Sequence, residues 1–354
     1  MSYWIDQPIN ISELDEIKII KTDVSKKKND ILPDGFKFKT LGTAYLDEIH
    51  GLISNHYVED KQHLIRLVYS KDFLYWYLKY IPAGFVVGLV YKNKLVGMVA
   101  ATFLDMIIYN IKMKVPYINF LCVQSKIRNL GLAPLLMDEI KARLCQINMS
   151  YALFTSMKLL TKPFSTSIDF VVPINYVKLK EVGFLLEDLP EYPRPESNPF
   201  HLMTGADMKS VVPKLNTFVE KFDIKPYFTE DSARHFLLSK KNIVYSFVKR
   251  NDKQTVTDFV TVYKNYLYCI EKNKMISVAQ LAFYYHETMD LTELITNLID
   301  KLPGYGIDQL IFRNLADGPK INITKFAMYD KLNYFFFNVA IKETDPTKIC
   351  FYPI

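Results

Sequence analysis

Cysteine is scarce in this chain, with four in 354 residues, at positions 122, 145, 269 and 350. They show no C-x-x-C spacing and no neighbouring histidine cluster, which excludes a disulfide framework and a zinc site and leaves reduced core thiols. Long apolar runs are missing too. The longest, residues 95–109, is too short to span a bilayer and is interrupted by Asp105, so no transmembrane segment is expected. Met1-Ser2-Tyr3-Trp4 is not a basic stretch leading into an apolar one, so no signal peptide is expected and a cytoplasmic protein follows. The net charge is only +6, from 44 basic and 38 acidic residues. These are interspersed, without a basic block, and exclude nucleic acid as the expected partner. Tandem repeats are absent, and Pro-rich punctuation is confined to one segment, 189–199.

What is present is apolar and aromatic: 49% hydrophobic and 14% aromatic residues. That composition excludes disorder. The length exceeds what one typical core needs, so one large domain or two fused halves is expected. The Pro-rich segment places the boundary, giving halves of 1–195 and 196–354.

The most informative stretch is 117–134. Residues 118–123 form a short apolar run suited to a buried strand. Arg128, Gly131 and Ala133 then follow in the spacing R-x-x-G-x-A, and Pro134 stands where a first helical turn tolerates a missing N–H. A helix is expected over 135–147, with Leu135, Leu136, Ile140 and Leu144 on one face. A small-residue turn at a helix start offers free N–H groups and a partial positive charge to an anion such as a pyrophosphate. Further elements follow from periodicity: helices over 46–55, 207–222 and 291–302, a hairpin of 85–91 and 95–100 around a polar turn, and strands over 151–155, 256–263 and 306–312.

Asn119-Phe120-Leu121-Cys122-Val123, followed by Arg128 and Ala133-Pro134, resembles the N-F-L-C-V…R-x-x-x-x-A-P block of glycylpeptide N-myristoyltransferases. The resemblance extends along the chain. Tyr3-Trp4 with Gln7-Pro8 is similar to the F-W-x-x-Q-P segment that opens the family core. His56-Tyr57-Val58-Glu59-Asp60, with Tyr69-Ser70, Phe73-Leu74 and Trp76, is similar to H-Y-V-E-D…Y-S-x-x-F-L-x-W, the most specific match. Val256-Thr257-Asp258-Phe259 resembles the family's V-T-D-F strand, and the resemblance is thinner from there onward.

It implies an α/β fold, two GNAT-like halves around a saddle-shaped, mostly antiparallel sheet. It also implies transfer of a tetradecanoyl group from myristoyl-CoA, the acyl-donor co-substrate, to the amine of an N-terminal glycine. No metal is implied. On this resemblance Tyr3, Trp4, Phe120, Leu121, Cys122, Val123, Arg128, Asn129, Gly131, Leu132 and Ala133 hold acyl-CoA. Tyr57, Val58, Asp60, Tyr69, Asn119 and Asp330 face the substrate peptide. Backbone N–H groups of Phe120 and Leu121 would stabilise the thioester oxyanion, the Thr155 hydroxyl would lie near the acceptor amine, and the terminal carboxylate, on Ile354, would be the base. A free α-carboxylate titrates at about 3.3–3.7, so burial must raise it for that task. The partners are acyl-CoA and N-terminal glycine peptides, and a monomer is expected.

Three departures qualify the match. The family's basic S-K-R turn is Asn129-Leu130-Gly131 here, leaving backbone N–H groups and Arg128 to hold the diphosphate, with weaker CoA binding expected. The acidic run after Val58 is Glu59-Asp60-Lys61-Gln62. The family's R-Y-W-H-R is Ile168-Asp169-Phe170-Val171-Val172. The residues themselves leave two alternatives open: a GNAT-type N-acyltransferase using a shorter acyl-CoA, and a non-catalytic binder of acyl-CoA or lipidated peptide.

Overall fold

The computed structural model describes residues 2–13, 16–21, 32–58, 64–185 and 195–353. Contacts divide the chain into two units. The first comprises Met1–Lys61, Leu67–Thr166 and Leu332–Thr344; the second comprises Gln62–Arg66, Ser167–Lys331 and Asp345–Ile354. Both mix helices with mainly antiparallel strands, as the sequence reading expects of an α/β fold.

In the first unit the strands Phe36–Thr40, Val86–Tyr91, Lys94–Ile108 and Ile111–Val123 pair antiparallel in that order. Ile111–Val123 then pairs parallel with Ala152–Ser156, which receives residues 333–337 antiparallel on its other side. The expected hairpin forms, and Lys92 and Asn93 turn it with φ of 47° and 63°. Two positive-φ residues give a turn whose twist matches the strands it joins. The helices Leu46–His56 and Leu132–Gln146 bury Ile49, Leu52 and Ile53, and Leu132, Leu136, Ile140 and Leu144. The latter helix starts three residues before the expected position because Gly131, at φ 71° and ψ 16°, makes the turn, and Pro134 falls third in the helix, where no N–H is needed.

In the second unit the order is His201–Leu202, Val244–Arg250, Val256–Cys269, Lys274–Tyr285, Gln309–Arg313 and the later part of Ser165–Pro173. Within this order, among the described residues, Lys274–Tyr285 with Gln309–Arg313 runs parallel and the other pairs antiparallel. The helix Leu291–Lys301 closes one face of this sheet with Leu294, Ile295 and Leu298, none of them exposed. Its Asp290 side chain accepts from the Glu293 N–H, an N-cap that satisfies one of the helix's orphan donors.

Candidate active site

The strand Ile111–Val123 is bulged where the sequence reading places the oxyanion donors. Met98 pairs with Cys122 and Ala100 with Asn119, so Phe120 and Leu121 together face Val99 alone. An unpaired extra residue bends a strand and re-aims its backbone. Phe120 takes φ 51° while fully buried. For a bulky side chain this is a costly conformation, about 1–3 kcal/mol, that persists only when its surroundings enforce it. The surroundings are rings: Tyr57, Tyr69 and Tyr77 lie with centroids 5.7, 5.3 and 5.4 Å from that of Phe120. With Met98 on Cys122 and Ala100 on Asn119, the Phe120 and Leu121 backbones fall outside the regular register of the ladder.

Around the bulge the polar groups form a small neutral network. Thr102 Oγ1 donates to Tyr77 Oη at 2.9 Å, and the Asn119 amide also bonds that hydroxyl. Tyr117 and Thr155 hydroxyls lie 3.1 Å apart. Burial raises the Tyr57 and Tyr117 phenols well above their ordinary range and pushes Tyr77 up to about 12 against hydrogen bonds from Thr102 and Asn119. These phenols are therefore neutral hydrogen-bonding groups at neutral pH. Burial likewise pushes the Cys122 thiol up to about 12, so it is neither a thiolate nor a nucleophile.

Beyond Val123 the chain runs through a 3-10 stretch, Ser125–Leu130, into the helix Leu132–Gln146, whose start carries no side-chain cap. Its first N–H groups are available to an anion. The Leu132 side chain is core, fully buried, so only its backbone can serve a ligand. Asn129 and Gly131 are exposed and Ala133 half-buried. Arg128 is engaged with backbone: Nε donates to the Val123 carbonyl at 3.1 Å and Nη2 to the His56 carbonyl. His56 Nδ1 in turn lies 3.2 Å from Ser125 Oγ.

Tyr3 and Trp4 line a narrow groove with Ile118, Ile140, Leu144 and Phe154. Trp4 stacks on Phe154 at 5.1 Å, and Tyr3 Oη donates to Asp138 at 3.0 Å. The structure thus brings Tyr57, Tyr69, Asn119, Phe120 and Leu121 to one place, and the Val58 carbonyl accepts from the Leu67 N–H at 3.0 Å. Asp60 and Ile354 lie outside the described residues. So does the side chain of Asp330, whose backbone belongs to the strand Phe326–Phe337. Sequence reasoning missed Tyr77 and Thr102. A tyrosine one place after Trp76 and a threonine in an apolar strand carry no local signal of the bond that joins them.

In the second unit the C-terminal residues are inserted rather than laid on the surface. Ile349 bridges to Ile224, and the Cys350 N–H donates to the Ile224 carbonyl at 2.7 Å. Ile349, Cys350, Phe351, Tyr352 and Pro353 are all buried. Among the described residues no group of His, Cys, Asp and Glu could hold a metal ion, and no helix is long and apolar enough to cross a membrane.

Comparison with known proteins agrees along the whole chain. Family models described as myristoyl-CoA:protein N-myristoyltransferase match twice, the N-terminal domain over residues 16–167 and the C-terminal domain over 184–349. A protein of Acanthamoeba polyphaga mimivirus, described as a candidate glycylpeptide N-tetradecanoyltransferase, is 51% identical over 345 residues, covering 96% of either chain. The glycylpeptide N-tetradecanoyltransferase of Candida albicans is 31% identical over 383 residues, covering 95% of this chain and 84% of its own. Among solved structures, Saccharomyces cerevisiae N-myristoyltransferase with bound myristoyl-CoA superposes with a TM-score of 0.88 at 20% identity, over 100% of this chain and 99% of that one. That last likeness is one of fold.

Proposed function

Since the chain belongs to the myristoyl-CoA:protein N-myristoyltransferase family, we infer that it transfers a tetradecanoyl group from CoA to the α-amine of an N-terminal glycine. The observation that carries this reading is the Phe120 bulge, a strained backbone site enclosed by tyrosine rings.

The thioester oxygen takes the N–H groups of Phe120 and Leu121, which stabilise the negative charge that develops as the amine attacks. The acyl chain occupies the groove of Tyr3, Trp4 and Phe154, and the CoA diphosphate takes the N–H groups at the start of the helix Leu132–Gln146. The Asn119 amide and the Thr155 hydroxyl orient the acceptor amine. The Ile354 carboxylate removes its ammonium proton. The neutral nitrogen then bonds to the carbonyl carbon; as the C–S bond breaks it loses its second surplus proton to the departing CoA thiolate, and the carboxylate releases the first proton to solvent. Acyl-CoA binding belongs to residues 1–195, which also hold most of the peptide-facing side chains, and Asp330 and the carboxylate belong to 196–354. The protein works as a cytoplasmic monomer.

Mass spectrometry of a glycine-initiated peptide incubated with tetradecanoyl-CoA tests the reading, and a mass gain of one tetradecanoyl group is expected. Calorimetry with tetradecanoyl-CoA and acetyl-CoA separates acyl lengths. Equal binding of both, or no product, overturns the long-chain assignment.

A further inference from the structure

Thr102, Tyr117 and Asn119 leave the sheet of the first unit on one face. Thr102 pairs with Tyr117 and Ala100 with Asn119 across the antiparallel ladder, and paired residues point the same way. Ile118 pairs with Phe154 in the neighbouring strand, so Asn119 and Thr155, one place further along each, emerge together on the opposite side from that pair. The helix Lys71–Tyr80 meets this face through Tyr77. Its N-cap Ser70 side chain accepts from the Phe73 N–H at 3.1 Å and fixes where the helix starts. The Tyr77 ring is held from two sides, stacked on Phe73 at 6.2 Å and edge-on to Phe120 at 5.4 Å.

Tyr77 is 2% exposed and Thr102 is fully buried. A phenol oxygen at that depth costs free energy unless it is hydrogen-bonded. Thr102 Oγ1 donates to it at 2.9 Å, and Asn119 Nδ2 donates to the same atom. These bonds settle which way the Asn119 amide is turned. Its nitrogen is taken by Tyr77, so its carbonyl oxygen points away from the phenol. That oxygen, Oδ1, is buried and has no hydrogen-bond partner among the described residues, and Asn119 as a whole is 7% exposed. A buried acceptor lacking a donor thus stands next to the bulge at Phe120 and Leu121.

We propose that Tyr77 is a positioning residue for the acyl transfer: by taking the Asn119 amide nitrogen, with Thr102 holding its hydroxyl, it leaves Asn119 Oδ1 as the acceptor for the amine of the substrate glycine. The proposal rests on the reading above in which Asn119 orients that amine. An ammonium carries donors only, so the oxygen end of an amide holds it and the nitrogen end does not. Without the phenol oxygen the Asn119 amide is free to offer either end.

The experiment uses the full chain with tetradecanoyl-CoA and a glycine-initiated peptide, followed by single-turnover kinetics. Tyr77→Phe keeps the ring and its packing and removes the hydroxyl. The peptide kcat/KM should fall roughly 10- to 100-fold, the size of a hydrogen bond to a charged group, while the affinity for tetradecanoyl-CoA stays unchanged. In Asn119→Ala the same substitution should cause no further loss, because the group it positions is gone. Thr102→Val keeps its shape, leaves the ring untouched and gives a second cycle, with a smaller loss that should also vanish in Asn119→Ala. Thermal midpoints of all variants separate these effects from misfolding, since a merely structural tyrosine would lower the midpoint and add its loss independently of Asn119. If Tyr77→Phe keeps the parent kcat/KM, or adds its own loss to that of Asn119→Ala, the positioning role is wrong and the reading of Asn119 stands. If Asn119→Ala itself keeps the parent kcat/KM, that reading fails and this inference with it.

Discussion

Each unit carries more than one bulge in its sheet, and a bulge from each, taken on a long strand, is built differently. In the first unit the extra residue falls at Phe120–Leu121, and Phe120 is driven to positive φ under a cage of tyrosine rings. In the second, Thr261 and Val262 pair with Phe283 and Leu281, leaving Ala282 over. Ala282 is fully buried, and it is not among the residues with positive φ. The first bulge keeps its strained backbone enclosed by buried rings. The second is absorbed into packing, while two residues earlier on the same strand Gln280 reaches the C-terminal segment. Comparable irregularities thus hold strained backbone in one unit and relaxed, packed backbone in the other.

The largest expected effect breaks this division of labour at the tail. Deleting Ile354, or extending the chain past it, should lower kcat by about 10²–10⁴-fold, the usual contribution of a general base. Tetradecanoyl-CoA affinity should stay as it was, because the donor groove and helix start are built elsewhere in the chain. Single-turnover kinetics beside calorimetry reads both quantities. A chain extended by several residues that retains full turnover shows that the carboxylate is not the base.

Next comes the caged bulge. Phe120→Ala removes a fully buried ring that meets three tyrosines, and a loss of about 3–5 kcal/mol in stability is expected. Ala282→Gly, at the relaxed bulge, should cost about 1 kcal/mol. Denaturant titration of both measures the contrast, and equal losses would mean that the two bulges are energetically alike.

The strand, turn and helix of residues 117–134 were legible because each part has a local cause: an apolar run, a glycine at the turn, a proline that fits a first helical turn. The family blocks led to the bulged strand for the same reason. What could not be read was non-local. Arg128, expected on the diphosphate, binds the carbonyls of Val123 and His56. Nothing around either residue announces that pairing across 72 positions. The Pro-rich punctuation at 189–199 is a chain-local signal, whereas the contact boundary runs between Thr166 and Ser167 and sends Leu332–Thr344 back to the first unit. A strand that leaves one unit and returns to it leaves no compositional mark. The burial of residues 349–353 was only compatible with their apolar character, and Gln280 gave no sign of its partner.

A smaller effect sharpens the picture of the diphosphate turn. Gly131→Arg would add the cation that the family's basic turn has, but Gly131 sits at φ 71°. Any L side chain there costs about 1–2 kcal/mol, so binding of tetradecanoyl-CoA should weaken despite the added charge, although nothing lies within 4 Å to clash. Leu130 is 61% exposed and lies before the strained position. Leu130→Lys should therefore tighten binding several-fold, an effect that fades as salt is raised. If Gly131→Arg binds as tightly as Leu130→Lys, the turn tolerates side chains and its backbone is not what holds the phosphates.

The smallest effect concerns the acceptor peptide. Lys61 stands in the run where the family resemblance leads one to expect a carboxylate, in the loop that resemblance assigns to covering the peptide. A carboxylate there attracts a lysine early in the substrate, and a lysine repels it. At an exposed site either interaction is worth about 1 kcal/mol or less. Turnover of glycine-initiated peptides with lysine or serine at that position should therefore differ by no more than a few-fold, with serine equal or preferred. Lys61→Asp should reverse the order at low ionic strength, and added salt should erase the difference because exposed charges are screened. A strong lysine preference in the parent chain would show that another carboxylate supplies the attraction. Asp330→Asn is then the variant to compare, and loss of the preference in it would move the peptide's charge recognition from the loop to the strand Phe326–Phe337.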